Sequence, residues 1–420
     1  MGKTVWIVNY YLKKPSEIRH ARHLMFAKFL QEAGYNVLIF TADDYSGEGE
    51  LVAETREFVE VKYDNYQYVH VKSSKVSSTL TRGVSIFKFA QRCLRNRRRF
   101  PKPDLILQNI HEPFDYPICR CAKKLKAKYI VDDWDMWAYS FVRQGMVKKD
   151  GLLGKFIFRI DRKFFENADQ VVFSMEGGKD YIRDMHWDLD SGGKVDLNKV
   201  HYINNGVDVA LSHANAIKYK LDDSDLTDPN TYKAVYMGSV SKSNALLMFV
   251  QAAKELEEEK DFRFLIYGDG NERDQLEKYC ADNNIKNVLF KQKSIPIEYV
   301  PYVLSKCDLN IISHKQHKQF VSYGVSLGKL FQAFASGKPI CFNRTDKYDL
   351  IKRYNLGISD SFADAHECAQ AILKLKRLPK EECEAMCERV MKVAWQFDYK
   401  VLSLQLVEIV NNLLENNDFN

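Results

Sequence analysis

Residues 324–339 read GVSLGKLFQAFASGKP, and this pattern predicts a glycine-containing loop that leads into a helix with an abrupt end. Gly324 and Gly328 allow the backbone to approach a ligand closely. Lys329 places a cation at the start of the helix, where the helix N-terminus adds about half a positive charge. Gly337, followed two residues later by a proline, ends the helix before the next strand. A segment of this kind suits a diphosphate group.

The length of the chain predicts two domains. A chain of 420 residues exceeds one ordinary hydrophobic core. No apolar run approaches the ~18 residues of a membrane-spanning helix, and the first residues lead into a strand pattern instead of a signal peptide. We therefore expect a cytoplasmic protein. The nine cysteines lack paired metal spacing and are expected to be reduced thiols.

Charge is distributed unevenly along the chain. The net charge is +6, but residues 1–205 contain 34 Lys and Arg against 26 Asp and Glu, a balance of +8. The remainder of the chain is slightly acidic. A basic first half suggests contact with an anionic surface, either phospholipid headgroups or nucleic acid.

Both halves of the chain alternate strand and helix patterns. The first half opens as β-α-β, and its strand patterns are 5–9, 37–41, 105–108, 129–131, 170–174 and 200–203. In the second half they are 234–237, 264–267, 288–290, 309–312 and 340–342. After residue 363 the pattern is almost wholly helical. The polar stretch 211–232 is typical of an interdomain linker.

These patterns predict an α/β protein with two doubly wound, Rossmann-like domains and a helical C-terminal extension. We expect residues 1–208 to form the first domain and residues 209–394 the second. Residues 395–420 are expected to form a helix that packs back on the first domain.

Loops after the strands of the second half carry the residues suited to a diphosphate, because ligands bind at the carboxyl ends of parallel strands. Gly238, Ser239 and Lys242 follow the first of these strands, and Gly268 and Asp269 follow the second. With the lysine at 329, two cations and several hydroxyl and backbone donors would surround the phosphates.

The motifs AVYMGSVSK (234–242), FLIYGDG (264–270) and the stretch at 324–339 resemble the donor domain of glycosyltransferase family 4, in the branch that builds bacterial surface polysaccharides. RHLMFAK (22–28) and NGVD (205–208) resemble further motifs of that branch, so the likeness covers nearly the whole chain. The resemblance implies the two-domain GT-B architecture, with the nucleotide sugar in the C-terminal domain. Beside the residues above, it implies donor contacts from Ser294, Gly324, Val325, Ser326, Lys329, Leu330 and Gln332.

The family's pair of glutamates is missing here. Gln332 stands at the position that holds the ribose, and the earlier position falls at Tyr323 or Gly324. A glutamine can hydrogen-bond a ribose but cannot act as a general base. The xanthan-type glucuronosyltransferases also pair a lysine with a glutamine three residues on. Retention of stereochemistry is the expectation that family 4 implies.

Acidic residues follow the strand at 129–131. The segment DDWDMW (132–137) resembles the family's Asp-Leu-Trp motif and puts Asp135 at the matching position. A carboxylate there could deprotonate or orient an acceptor hydroxyl, and the indole rings offer an apolar surface to a sugar. Asp135 is the first candidate for catalysis, ahead of Asp133. An acidic turn that caps the next helix is the alternative interpretation.

Three further residues of the first half are candidates for the site. His111 lies in a loop after a strand, where the family often has a histidine. Arg19 and Arg22 could reach a donor phosphate or the acceptor. Each could instead have a purely structural role.

Two basic amphipathic stretches, 84–103 and 152–165, could lie on anionic headgroups. The first holds the Arg92–Arg99 region. Ordinary domain helices with a solvated face are the alternative. Such docking would bring an enzyme to a lipid-linked acceptor, and would make it peripheral on the inner face of the membrane.

The resulting hypothesis is a metal-independent glycosyltransferase that moves a sugar from a nucleotide diphosphate sugar, a UDP-sugar being favoured, to a hydroxyl of a lipid-linked oligosaccharide or polysaccharide precursor. No cofactor, metal or nucleic-acid partner is expected. A sugar-nucleotide 2-epimerase and a catalytically degenerate binding subunit are the alternatives. A dehydrogenase is disfavoured because Asn9-Tyr10-Tyr11 replaces the glycine-rich fingerprint after the first strand.

Overall fold

The chain divides into two units, one formed by Met1–Asn204 with Leu402–Asn420 and the other by Asn205–Val401. The computed structural model describes residues 2–15, 22–43, 56–74, 76–315 and 322–415. The sequence-based boundaries were drawn after residues 208 and 394. The chain therefore leaves the first unit four residues earlier and returns to it seven residues later than those boundaries.

An eight-stranded sheet organises the first unit, in the order β3-β4-β2-β1-β5-β6-β7-β8. Neighbouring strands are parallel except for the β3–β4 hairpin. The central strands are apolar runs buried on both faces, as parallel strands between two helical layers require. The strands are β1 (Thr4–Val8), β2 (Asn36–Ala42), β3 (Phe58–Tyr63), β4 (Tyr66–Val71), β5 (Leu105–Ile110), β6 (Lys128–Asp133), β7 (Gln170–Phe173) and β8 (Val200–Tyr202).

Helices cover this sheet. They are α1 (Arg22–Glu32), α2 (Thr79–Arg95), α3 (Pro117–Leu125), α4 (Trp137–Arg143), α5 (Leu152–Asn167) and α6 (Gly178–Asp184). The C-terminal helix Tyr399–Glu415 adds Leu402, Leu406 and Val410 to the core that α1 forms with β1 and β2. Tyr35 donates a hydrogen bond to Asn411 Oδ1 at 2.6 Å beside this core. The apolar stripe of the last helix is thus buried in the first unit.

The second unit has a six-stranded parallel sheet in the order β11-β10-β9-β12-β13-β14. Its strands are β9 (Tyr232–Met237), β10 (Phe262–Tyr267), β11 (Val288–Phe290), β12 (Leu309–Ile312), β13 (Ile340–Phe342) and β14 (Gly357–Ser359). Numbered within the unit, this is the 3-2-1-4-5-6 order of a Rossmann-type sheet. The strand order reverses between β9 and β12, and ligands bind at the carboxyl ends of strands beside such a point.

The helices of the second unit pack on both faces of its sheet. They are α7 (Val209–Lys218), α8 (Ser224–Thr227), α9 (Leu247–Glu255), α10 (Arg273–Asp282), α11 (Val300–Lys306), α12 (Gly328–Ser336), α13 (Leu350–Tyr354), α14 (Ala365–Lys376) and α15 (Lys380–Gln396), and the C-terminal helix is α16 (Tyr399–Glu415). The two predicted doubly wound sheets and the helical C-terminal segment are confirmed.

The structure corrects two details of the sequence prediction. The stretch 211–232 is not an extended linker, because α7 and α8 occupy much of it. Asp208 caps α7 by accepting a hydrogen bond from Leu211 N, and Asp223 caps α8. The antiparallel hairpin of β3 and β4 was not predicted. Polar and apolar residues alternate on β3, since it is the edge strand and one face is half-exposed.

Candidate functional site

Two glycine loops meet at the carboxyl edge of the second sheet. Gly238 follows β9 and Gly268 follows β10, and a Cβ on Gly268 would lie 1.9 Å from the Gly238 carbonyl oxygen. Gly268 has φ +134, a backbone conformation that residues other than glycine rarely adopt. The backbones of the two loops therefore touch. Ser239 and Asp269, the next residue of each loop, are exposed.

Lys329 lies in the first turn of α12 and points toward the loop after β9. Its Nζ donates hydrogen bonds to Asn244 Oδ1 at 2.5 Å and to the Ser313 carbonyl oxygen at 2.7 Å. It also lies 3.3 Å from the Tyr236 hydroxyl and 5.0 Å from the centroid of that ring. The side chain joins α12 to the ends of β9 and β12. The ammonium group is therefore at the point where the strand order reverses.

Burial lowers the pKa of Lys329 to about 7. Removal from water disfavours the charged form of an amine, and a nearby anion would favour it again. No side chain caps α12 at Leu327, and a helix N-terminus is a favourable position for an anion.

The rest of the 324–332 segment is positioned by backbone contacts. Gly324 has φ +103 and is buried. The Ser326 hydroxyl accepts a hydrogen bond from Asn205 N at 3.3 Å, and the Ser326 carbonyl oxygen accepts one from Asn205 Nδ2 at 3.1 Å. Gln332 is half-buried one turn after Lys329. These contacts tie the predicted phosphate loop to the NGVD motif.

Two of the predicted donor residues have side chains in or near the core. Leu330 is 1% exposed and packs with Phe331 and Phe342. Val325 is half-buried and lines, with Leu330, a cavity of about 10 Å³, room for one water molecule. A donor contact at Leu330 would therefore involve its backbone.

Lys242 and Ser294 are both exposed in loops of the second unit. Lys242 follows β9 as predicted. Near Ser294, the Lys293 ammonium lies 4.0 Å from Asp269 and 3.9 Å from Asp274. Exposed ion pairs of this length contribute little to stability, so these side chains can rearrange around a ligand.

In the first unit, Asp132 at the end of β6 is the centre of a buried ion-pair network. Its carboxylate accepts hydrogen bonds from Arg22 at 2.8 and 3.1 Å and lies 2.9 Å from His23 Nε2. Arg22 also donates to the Asn204 carbonyl oxygen at 2.6 Å. Burial alone would raise the pKa of Asp132. The neighbouring Arg22 and His23 instead hold the pKa of this carboxyl group well below its usual range. Arg22 is fully buried. Its guanidinium group is therefore not exposed to contact a phosphate in this conformation.

Asp133 points into the interior beside Asp161. Both carboxyl groups are fully buried, and Asp133 Oδ1 accepts a hydrogen bond from Met136 N at 2.8 Å. Asp161 Oδ2 accepts one from the Tyr181 hydroxyl at 2.6 Å. Burial, and then the charge of Asp161, raise the pKa of Asp133 well above its usual range. Asp133 is thus placed to anchor the turn after β6, and no substrate can reach it in this conformation.

Burial raises the pKa of Asp161 to about 7. Asp133 Oδ2 lacks a hydrogen-bond partner, and the Trp137 indole nitrogen faces the Asp161 carboxyl group without reaching good hydrogen-bond geometry. A proton shared by the two carboxyl groups would satisfy part of this cluster. Trp137 is 3% exposed, so its ring is not available as the sugar platform that the sequence suggested.

Asp135 is the exposed carboxylate of the turn after β6. The turn is fixed around it. The Asp135 carbonyl oxygen accepts a hydrogen bond from the Ser140 hydroxyl at 2.7 Å, and Met136 adopts a left-handed conformation with φ +46. Only Asp135 among the three acidic residues of the turn is accessible to a substrate.

His111 is half-buried after β5, and its Nε2 lies 3.4 Å from Asn9 Oδ1. Burial, and then the charge of His23, lower the pKa of His111 to about 3. It is therefore neutral at physiological pH and can donate or accept a hydrogen bond but not supply a proton as an imidazolium. Arg19 lies outside the described residues.

Two family models match the chain. The model described as "Glycosyltransferase Family 4" matches residues 21–211, and the one described as "Glycosyl transferases group 1" matches residues 231–377. The first match contains Asp135, and the second contains Lys329 with the loops around it. The chain is a GT-B glycosyltransferase. No curated protein matches it in sequence.

The glycosyltransferase is similar in fold to several solved structures. A sucrose-phosphate synthase from Thermosynechococcus elongatus has a TM-score of 0.71 at 14% identity, over 99% of this chain and 100% of the other. An alpha,alpha-trehalose 6-phosphate synthase from Burkholderia multivorans has 0.72 at 12% identity, over 99% and 100%. Anabaena Alr3699/HepE in complex with UDP-glucose has 0.64 at 13% identity, over 97% and 99%. At these identities the likeness concerns the fold alone.

Sequence reasoning missed two residues of the glycosyltransferase's candidate donor site. Asn244, which bonds Lys329, lies six residues after Gly238 and is joined to Lys329 only by the fold. Arg273 is buried, and its guanidinium donates to the carbonyl oxygens of Gly268 and Lys291, at the ends of β10 and β11. It also pairs with Glu277 at 2.6 Å. The i,i+4 spacing of Arg273 and Glu277 was visible in the sequence, but their position at the strand ends was not.

Within the part of the glycosyltransferase that the structure describes, no three His, Cys, Asp or Glu side chains are arranged to hold a metal ion. The same described residues include no helix that is long and apolar enough to span a membrane.

Proposed function

We propose that the enzyme transfers a sugar from a nucleotide diphosphate sugar to a hydroxyl of a lipid-linked oligosaccharide or polysaccharide precursor, without a metal ion. The observation that carries the donor half of this proposal is the position of Lys329, half-buried at the start of α12, with its ammonium group beside the carboxyl ends of β9 and β12. UDP-sugars are the favoured donors, because Anabaena Alr3699/HepE of the same fold is described in complex with UDP-glucose.

The donor diphosphate would bind at the first turn of α12. Its oxygens would accept hydrogen bonds from the backbone N–H groups there and from Lys329, with Lys242 as a second cation. As the bond between the anomeric carbon and the phosphate oxygen breaks, negative charge develops on the leaving diphosphate. Two lysines and a helix N-terminus can stabilise that charge in place of a divalent cation.

The acceptor half of the proposal assigns Asp135 to the acceptor hydroxyl. As the acceptor oxygen forms the new glycosidic bond, its proton would pass to, or be oriented by, the Asp135 carboxylate. Gln332 would hydrogen-bond the ribose as the resemblance implies. The missing glutamates favour a second candidate, a subunit that binds nucleotide sugars without turnover.

A thermal-shift screen across UDP-, GDP-, dTDP- and ADP-sugars tests the donor assignment. We expect one nucleotide family to stabilise the protein, and Lys329→Met to weaken its binding by roughly 10–100-fold, since a charge-assisted hydrogen bond contributes about 1.5–3 kcal/mol. Lys338→Met is the control, because that lysine lies beyond α12. No shift with any nucleotide contradicts the proposed donor class. Binding without sugar transfer to any acceptor, lipid extracts included, favours the binding subunit.

We also propose that the enzyme docks on an anionic membrane through the first unit. On α2, Leu80 is 84% exposed, and Val84 and Phe87, one and two turns on, are about half exposed. They share one helix face. Phe114 extends this face, because its ring packs on Gly83 of the same helix. Leu152, Leu153 and Phe156 at the start of α5 are also exposed, and the turn that carries Phe114 packs against both helices.

Exposed basic residues accompany these apolar side chains. Lys88 and Arg95 on α2 and Lys155 on α5 can meet anionic headgroups. Within the Arg92–Arg99 region, Arg95, Arg98 and Arg99 are exposed, whereas Arg92 and Arg97 are half-buried. Arg92 donates to the Lys72 carbonyl oxygen, and Arg97 donates to that of Leu94. The apolar contact therefore lies toward the start of α2 and the basic contact toward its end.

Vesicle binding tests this surface. The triple variant Leu80→Ser, Phe87→Ser and Leu152→Ser should bind phosphatidylglycerol vesicles at least about tenfold more weakly than the wild type, because burial of one such side chain contributes about 1.5–3 kcal/mol. Leu211→Ser with Ile217→Ser is the matched control, since both residues are exposed on α7 of the second unit. Equal binding by the wild type and the triple variant would contradict the docking proposal.

A further inference from the structure

Asn244 connects Lys329, the lysine proposed to bind the donor diphosphate, to the loop after β9. Its Oδ1 accepts the hydrogen bond from Lys329 Nζ at 2.5 Å. Its Nδ2 donates to the Ser239 carbonyl oxygen at 2.7 Å and to the Ser241 hydroxyl at 3.1 Å. An ammonium group only donates and a carbonyl oxygen only accepts, so these partners fix the orientation of the amide. The side chain therefore bridges the loop and the lysine.

The backbone of Asn244 is held as firmly as its side chain. Its carbonyl oxygen accepts a hydrogen bond from the Ser313 hydroxyl, which in turn accepts one from Asn343 Nδ2 at 3.1 Å. Ser313 is fully buried. The next residue, Ala245, has φ +49. One network of hydrogen bonds thus joins the loops after β9, β12 and β13 to the first turn of α12.

We propose that Asn244 is a positioning residue that holds the Lys329 ammonium group at the proposed phosphate site. The ammonium group stays available to hydrogen-bond a nucleotide diphosphate when one binds. Its role toward the diphosphate rests on the proposed function, but its hold on Lys329 is a property of the ligand-free protein. The amide oxygen supplies one of the few polar contacts of an ammonium group that is otherwise surrounded by protein. A neutral partner stabilises the cation less than a carboxylate would, so the lysine stays available to an anion.

Other titratable groups surround this network, and the nearest to Lys329 Nζ is the Tyr236 hydroxyl at 3.3 Å. Lys242 lies on the loop after β9, and His314 and Lys315 follow β12. After β13, Arg344 pairs with Asp346 at 3.4 Å and lies 3.4 Å from His314 Nδ1. Of these groups only His314 ordinarily titrates near neutral pH. His314→Gln is therefore the control for any change between pH 6 and pH 8.

The titration of Lys329 in the ligand-free protein tests the inference. NMR of the lysine side chains, assigned with Lys329→Met, gives its pKa. Asn244→Asp should raise that pKa by roughly 1–3 units, because a carboxylate would face the ammonium at hydrogen-bond distance. Asn244→Ala should lower it, because the burial remains and an acceptor is lost. Ser243→Ala should leave it unchanged, since the Ser243 hydroxyl bonds only Ser241 among the described contacts.

Binding of UDP links the titration to function. A diphosphate binds the protonated lysine, so affinity should fall as pH rises through about 7 in the wild type. The fall should move to higher pH in Asn244→Asp and to lower pH in Asn244→Ala. A residue that only supported the loop would weaken binding without moving this midpoint. Circular dichroism shows whether each variant folds. A shift of the midpoint in either Asn244→Asp or Asn244→Ala is sufficient for the test.

The outcomes separate this inference from the proposed function. If the Lys329 pKa is the same in the wild type and in the folded Asn244 variants, the positioning role is overturned even when UDP binds. If UDP does not bind the wild type at any pH, the proposed donor class is contradicted. The ligand-free titration still tests whether Asn244 positions Lys329. Shifts of opposite sign in the two variants support the inference.

Discussion

Asp135→Asn is expected to lower the rate of sugar transfer by about 10²–10⁴-fold while donor binding stays unchanged. Asp135 is the exposed carboxylate of the turn after β6, and its neighbours Asp132 and Asp133 are fully buried. An amide of the same shape keeps the turn intact but cannot accept a proton. The loss should therefore appear in kcat and not in the affinity for the nucleotide sugar.

Transfer of radiolabelled sugar into an organic-extractable lipid fraction measures this effect and also tests the class of acceptor. Asp150→Asn is the matched control, because Asp150 is exposed in the same unit. Full activity of Asp135→Asn would remove this residue from the chemistry. If the control lost activity as well, the effect would reflect the charge of the unit and not a specific base.

The Asp133–Asp161 pair predicts that the first unit loses stability as pH rises toward 8. An unfolded aspartate ionises near pH 3.8, whereas burial raises the pKa of Asp161 to about 7. The folded state therefore keeps a proton that the unfolded state has released. By linkage, the stabilisation is complete below about pH 4 and is lost as pH rises through about 7.

Asp161→Asn should reduce this loss, because the amide stays neutral and can still accept the hydrogen bond from Tyr181, while burial continues to raise the pKa of Asp133. Near pH 8 we expect the variant to be more stable than the wild type by roughly 2–4 kcal/mol, since each pKa unit corresponds to ~1.4 kcal/mol. Near pH 4 the two should be similar. Hydrogen exchange of the β6 and α5 amides gives the free energy of opening in this unit.

Asp190→Asn is the control for this experiment, because Asp190 is exposed in the same unit. Its exchange profile should follow that of the wild type at every pH. An Asp161→Asn profile with the same pH dependence as the wild type would show that the buried pair does not hold the proton.

Local patterns predicted the elements of the second sheet and the donor loop. The apolar runs at 234–237 and 264–267 form β9 and β10 because strands buried on both faces need no polar alternation. The helix predicted in 324–339 ends at Gly337, which adopts φ +67 and caps α12. These features depend on neighbouring residues, so they were available without a fold.

Local patterns left the roles of several charged residues in the first half open. The sequence left Arg22 a phosphate or acceptor contact and a structural role as alternatives, and the structure pairs it with Asp132, 110 residues away. Of the acidic residues in this turn, Asp133 faces Asp161 in the interior while Asp135 faces solvent. Which carboxylate of a turn reaches solvent depends on the turn's conformation, here with a left-handed Met136.

The sequence by itself determined that this chain builds two parallel α/β sheets and that a lysine begins the helix after a glycine loop, because hydrophobic periodicity and helix-terminus chemistry are local. Only the tertiary structure decided what surrounds that lysine. Asn244 and Ser313 reach Lys329 from two other strand ends, and burial among them lowers its pKa to about 7. Contacts between residues far apart in sequence, and the loss of water around them, follow from packing and are not encoded in any short motif.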